Sequence, residues 1–211
     1  MIKNKFIINL FILIFFVLSA FLSFFYLSKY DLYQLDGITH VMLKEETAAH
    51  WYRAAIILEQ ITKGTSFFIA GDEVFTKPLP QRLVAIYAYI TNFEIIDNWK
   101  NMKFALGGKF IFLLTQSIIY YLSVFFFYNQ IKNYFNSKIC FIIVCFLCIE
   151  PTIFQYHSSF WTESFYFSIQ LLLLATLLVQ NEKNLKYIII GLLLGLLFFQ
   201  RSAGIFYIII I

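Results

Sequence analysis

"FIINLFILIFFVLSAFLSFFYL", residues 6–27, decides what kind of protein this is. As an α-helix rising 1.5 Å per residue it reaches about 33 Å, enough to cross a hydrocarbon layer ~30 Å thick. Only Asn9 and scattered serines interrupt it. The apolar core of a secretory leader is ~7–15 residues long and ends at a small-residue cleavage site. This run is longer and no A-x-A pattern follows it, so it reads as a retained transmembrane helix.

The rest of the chain repeats the theme. Of its 211 residues 61% are apolar, 21% aromatic and only 13% charged, which falls outside the usual soluble range. Further apolar runs are Phe110–Tyr128 (lengthened past Lys109 by Phe104–Gly108), Ile139–Phe154 with Glu150 and Pro151 near its end, Phe160–Val179 with Glu163 near its start, and Tyr187–Phe199. Ile205–Ile211 starts another. The expected fold is all-α, a polytopic transmembrane helix bundle of about five spans forming a single membrane module. The spans fall at 6–28, 104–128, 139–154, 160–179 and 187–200, with loop 29–103 after the first and the start of a further span at 205–211.

Composition also excludes some functions. A formal charge of +4 with no basic stripe does not suit nucleic acid. Cys140, Cys145 and Cys148 share one apolar run, and although Cys145 and Cys148 have C-x-x-C spacing, no histidine or further cysteine lies nearby. They read as small packing residues rather than a zinc or redox site. His40, His50 and His157 show no metal-ligand spacing.

Lysines and arginines of short loops set membrane orientation. Lys3 and Lys5, Lys132 and Lys138, and Lys183 and Lys186 fall on one side if the spans alternate, which makes that side cytoplasmic. Eleven of the twelve acids, all but Glu182, then lie outside, as do Trp51, Trp99 and Trp161. A multi-pass protein of the bacterial inner (plasma) membrane follows, its N-terminus in the cytoplasm and its polar chemistry facing away from it.

Loop 29–103 is too long for a simple connector. Glu46–Thr62 reads as an amphipathic helix stopped by Gly64, with Trp51, Ala55, Leu58 and Ile61 as its apolar stripe. Glu46, His50 and Arg53 recur at i, i+4 and i+7 on another face. That trio suits either a catalytic base with supporting charges or the solvated face of a surface helix, and periodicity alone favours the solvated face. Past Gly71-Asp72 and the punctuating Pro78 and Pro80, Gln81–Ile90 reads as a second short helix with Arg82 at its start. Glu163 has two readings, an N-terminal charge favoured by the helix dipole or a functional acid beside hydrocarbon. Arg201 likewise suits a snorkelling helix end or an anion site.

These segments together resemble the GT-C glycosyltransferases, in particular the protein mannosyltransferase and aminoarabinose transferase-like branch. The likeness rests on "EETAAHWYRAA" (45–55) in a long first loop and on the proline-bearing helix start "KPLPQRLVAIYAYI" (77–90). It rests also on "EPTIFQYHSSFWTESFYFSIQLLLL" (150–174), entering a span through Thr-Glu, and on the glycine-spaced "IIIGLLLGLLFFQRSAG" (188–204). The resemblance implies transfer of a sugar from a polyprenyl-phosphate donor to a glycan, lipid or protein acceptor on the extracytoplasmic side. It implies a first-loop carboxylate as base, here Glu46 or Glu45 with Asp36 and Asp31 as rivals. Glu163 and Arg201 match the family's acid and basic residue at the span ends, and His50 and Arg53 would support substrate. A divalent cation is compatible with such a site, though no ligand set for one is written in the sequence. Family enzymes are about twice as long, so the chain is expected to be the N-terminal portion of such a module. The alternatives are a truncated, non-catalytic accessory subunit and, third, a small transporter component.

Overall fold

The computed structural model describes residues 2–29, 41–66, 78–92, 95, 106–151, 162–180 and 184–200, the side chains of 2–5, 25–29, 41–51, 78, 106–109 and 162 excepted. Among these residues there are seven helices and no strand: α1 (Ile2–Lys29), α2 (Val41–Thr62), α3 (Pro78–Thr91), α4 (Leu106–Ile131), α5 (Ser137–Ile149), α6 (Thr162–Leu177) and α7 (Asn184–Gln200). The all-helical expectation therefore holds for what is described.

Local chemistry explains the helix ends. In α2 the Gly64 amide donates to the Ile61 carbonyl and the Thr65 amide to Gln60, with Gly64 at φ 92°. This reciprocal pair is the Schellman closure, which needs a residue tolerant of positive φ. Helix α3 begins at Pro78, where a missing N–H costs nothing because first-turn amides have no intrahelical partner. It ends before Asn92, which adopts φ 50°. Asn136 caps α5, its side-chain oxygen accepting from the Ile139 amide. At the other end Glu150 is forced to ψ 118°, because a following proline disfavours helical geometry. The run expected to span 139–154 thus breaks at Ile149.

The same shortening affects the other late runs. Two helices are long and apolar enough to cross a bilayer, Phe6–Phe24 and Phe110–Ile131, whereas α5, α6 and α7 have 13, 16 and 17 residues. Of five expected spans, two meet the length criterion among the described residues.

Contacts fix how the helices run. Ile8 and Ile12 of α1 join Val124, Tyr128 and Ile131 near the end of α4. Ser19 and Ser117 share a hydrogen bond of 3.2 Å, and the Phe24 and Phe110 rings lie 5.5 Å apart near the opposite end. Helices α1 and α4 are therefore antiparallel. Helix α5 returns alongside α4, where the Tyr120 hydroxyl donates to the Leu147 carbonyl. Helices α6 and α7 pair through Tyr166, Ile169, Leu173, Ile190, Leu193 and Leu197.

Two ends result. At one, the Tyr134 hydroxyl donates to the Leu178 carbonyl, Lys186 Nζ donates to the Val179 carbonyl, and Ile7 and Ile8 meet Ser137 and Lys138. The start of α1, the α4–α5 turn and the start of α7 thus lie at one end of the bundle. At the other end the α2–α3 hairpin packs Ala54, Val84, Ala88 and Ile95 against Phe112, Leu113 and Phe165.

Polar side chains share the interior with the apolar core, and large apolar ones are exposed. On α1, Ser19 and Ser23 are wholly buried whereas Phe6, Leu13, Val17 and Phe21 are more than half exposed. Gln116, Ser117, Ser123, Ser164, Ser168 and Gln200 are buried as well, while Leu122, Ile142, Phe146, Ile188 and Leu192 face outward. Enclosed polar side chains and exposed large apolar ones thus occur on the same helices.

Candidate functional site

The polar group that stands out is not one the sequence nominates. Arg82, in the second turn of α3, has no exposed surface, and its neighbour Gln81 has none either. The Arg82 guanidinium carbon lies 5.3 Å from the centroid of the Phe199 ring, near the end of α7. Gln200 beside it is 1% exposed. Three long hydrogen-bonding side chains are therefore enclosed where the first-loop hairpin meets the last described helix. An arginine is almost never fully buried unless its charge is matched. Its planar fork suits carboxylate or phosphate oxygens.

The helix that supplies Arg82 is positioned by its apolar residues. Val84, Ala85 and Ala88 are buried against Ala54 and Ile57 of α2 and against Phe112 and Phe165. On α2 the buried stripe is centred on Ala54 and Ile57, with Ala55, Leu58 and Ile61 half-buried. Of the stripe expected through Trp51, Ala55, Leu58 and Ile61, the last three pack against the core, while Ala54 and Ile57 form its enclosed centre and the Trp51 side chain lies outside the description. That centre changes the reading of Arg53. It is half-buried, one turn before the enclosed Ile57, and so belongs beside the face turned to α3 rather than on a fully solvated one. The solvated side is marked instead by Glu59, whose carboxylate pairs with Lys63 at 2.6 Å in an exposed i,i+4 contact.

Glu163 occupies the first turn of α6 and is half-buried. Two residues later Phe165 joins Ala54 and Val84 in one cluster. Arg53, Arg82 and Glu163 therefore come from three separate helices to the same end of the bundle. A carboxylate in that first turn also complements the helix dipole.

Glu45, Glu46 and His50 lie on the backbone of α2, but their side chains are outside the description, and Asp36 and Arg201 fall outside the described residues altogether. The Trp51 side chain, Trp99, Trp161 and residues 67–77, 152–161 and 205–211 lie outside the description as well.

In the sequence Arg82 marks only the start of a helix. Its burial depends on α7 ending beside α3, which no local pattern reports. The one signal was an arginine just after the two prolines that open an apolar helix. The cysteines behave as read: Cys140 and Cys148 are buried, and all three are free thiols. Among the described residues no group of three histidine, cysteine or acidic side chains is placed to hold a metal ion.

No known protein family matches the chain, and neither does any curated protein or any solved structure.

Proposed function

We propose that the chain is a polytopic membrane protein of the glycosyltransferase type, moving a sugar from a polyprenyl-phosphate carrier to an acceptor on the extracytoplasmic side. The observation that carries this reading is the enclosed Arg82 at the junction of the first-loop hairpin and α7. Phe199, which covers the guanidinium, is itself 42% exposed on the outer surface of the bundle. A lipid-borne phosphate approaching from that side would meet Phe199 before Arg82.

The exposure of large apolar side chains on α1, α4, α5 and α7 supports the bilayer setting. The clustering of the lysine-bearing segments at one end supports a hairpin on the other, extracytoplasmic side. In the reaction the first-loop carboxylate, Glu46 or Glu45, takes the acceptor hydroxyl's proton. The freed oxygen pair attacks the anomeric carbon. The bond from that carbon to the phosphate oxygen breaks, leaving its electron pair on the carrier phosphate. Arg82 and Arg201 stabilise that departing charge, and Arg53 and Glu163 orient the substrates.

Transfer from radiolabelled polyprenyl-phosphate sugars, measured in membranes, tests this. Glu46→Gln and Arg82→Lys should each lower the rate about tenfold or more, since lysine keeps the charge but loses the two-pronged geometry. Unchanged rates in both, with protein levels equal, would end the proposal.

A further inference from the structure

The lysine-bearing end carries a feature that the sugar-transfer reading does not use. A cavity of about 240 Å³ opens between α1 and α5, lined by Ile7, Ile8, Phe141, Ser137 and Lys138. Its walls are mostly hydrocarbon and its rim is cationic. Ile7 and Phe141 are exposed, so the groove opens sideways onto the outer surface of the bundle.

The lysines at this end differ in what they do. Lys132 Nζ donates to the Asn129 side-chain oxygen at 2.8 Å, and Lys186 Nζ to the Val179 carbonyl at 2.7 Å. Lys138 has no hydrogen-bond or carboxylate partner among the described residues, and it lines the groove. It stands in the first turn of α5, with the Ser137 hydroxyl next to it and the positive end of the helix dipole behind it.

We infer that this groove is a docking site for an anionic phospholipid, one acyl chain lying between Ile7, Ile8 and Phe141 and the headgroup phosphate held by Lys138. Charge complementarity selects the occupant. A zwitterionic lipid would bring its own cation to Lys138, and a free phosphate would leave the apolar walls unused. Basic pockets between transmembrane helices on the cytoplasmic side are suited to such headgroups. The inference rests on the bilayer setting proposed above, but not on sugar transfer.

Native mass spectrometry of the full chain, released from nanodiscs holding equal phosphatidylglycerol and phosphatidylcholine, tests it. The chain should retain one phosphatidylglycerol with about fivefold preference, the factor that one juxtamembrane lysine supplies. Lys138→Gln should abolish the preference, Lys138→Arg and Lys132→Gln should keep it, and Lys138→Gln should leave glycosyl transfer intact. Because Lys138 is exposed, the fold survives its replacement, and circular dichroism checks this. Equal retention of the two lipids overturns the inference, as does an unaltered preference in Lys138→Gln. Displacement by glycerol 3-phosphate would show a free-phosphate site and overturn it too. Release of the chain from membranes by alkaline carbonate would overturn this inference and the bilayer setting together. Loss of transfer with the lipid preference kept would count against the sugar-transfer reading alone.

Discussion

Arg82 and Phe199 meet face to cation, 5.3 Å from guanidinium carbon to ring centroid. The contact ties a helix of the first loop to the end of the last described helix. A cation over an aromatic face gains more as water is excluded. A double-mutant cycle of Arg82→Met and Phe199→Leu, read by thermal unfolding in detergent, should give a coupling of about 1–2 kcal/mol. Additive losses would mean that the two groups stack without interacting.

The Ser19–Ser117 hydrogen bond joins the two longest apolar helices through side chains that are wholly buried. Interhelical hydrogen bonds of this kind average about 0.6 kcal/mol in membranes. The Ser19→Ala and Ser117→Ala cycle should show a coupling of that order. Ser117→Val should cost more, about 1–3 kcal/mol, because the added methyl groups enter a closed seam.

Gly64→Ala isolates a backbone effect. A Cβ at this position meets nothing within 4 Å, yet φ is 92°. The substitution should destabilise the α2 end by about 1 kcal/mol from left-handed strain alone. Gly64→Asn should cost less, since asparagine visits positive φ more readily. Equal stability of alanine and glycine variants in thermal unfolding would refute the strain argument.

Membrane sidedness can be read at two described, exposed positions, Ser66 just past α2 and Lys132 just past α4. A Ser66→Cys variant should react with an impermeant maleimide in intact cells, and Lys132→Cys only after permeabilisation. The three native thiols all lie in α5, two of them buried, and contribute a constant background. Reversed labelling would place the hairpin in the cytoplasm and remove the extracytoplasmic site.

Much of the fold is legible in the sequence because local chemistry determines it. Gly64 and the Pro78–Pro80 pair mark real helix ends, and the apolar runs around Phe6–Phe24 and Phe110–Ile131 become the two longest apolar helices. Other features are visible but easily misweighted. Ser19 and Ser23 look like interruptions of a greasy run, whereas their i,i+4 spacing marks the inward face of α1. Glu150 draws the eye as an ionisable group, while its larger effect is positional, ahead of Pro151, where α5 has to stop. On α2 the spacing finds Ala55, Leu58 and Ile61 at the core but misses Ala54 and Ile57, its fully enclosed centre, because an alanine weighs little in an apolar stripe. Arg82 cannot be ranked from its neighbours, since its enclosure is made by a residue far along the chain.

The Tyr134–Leu178 and Lys186–Val179 hydrogen bonds stitch the tips of α4, α6 and α7 together at the lysine-bearing end. Parting those tips would break both bonds, each a net contribution of about 1 kcal/mol.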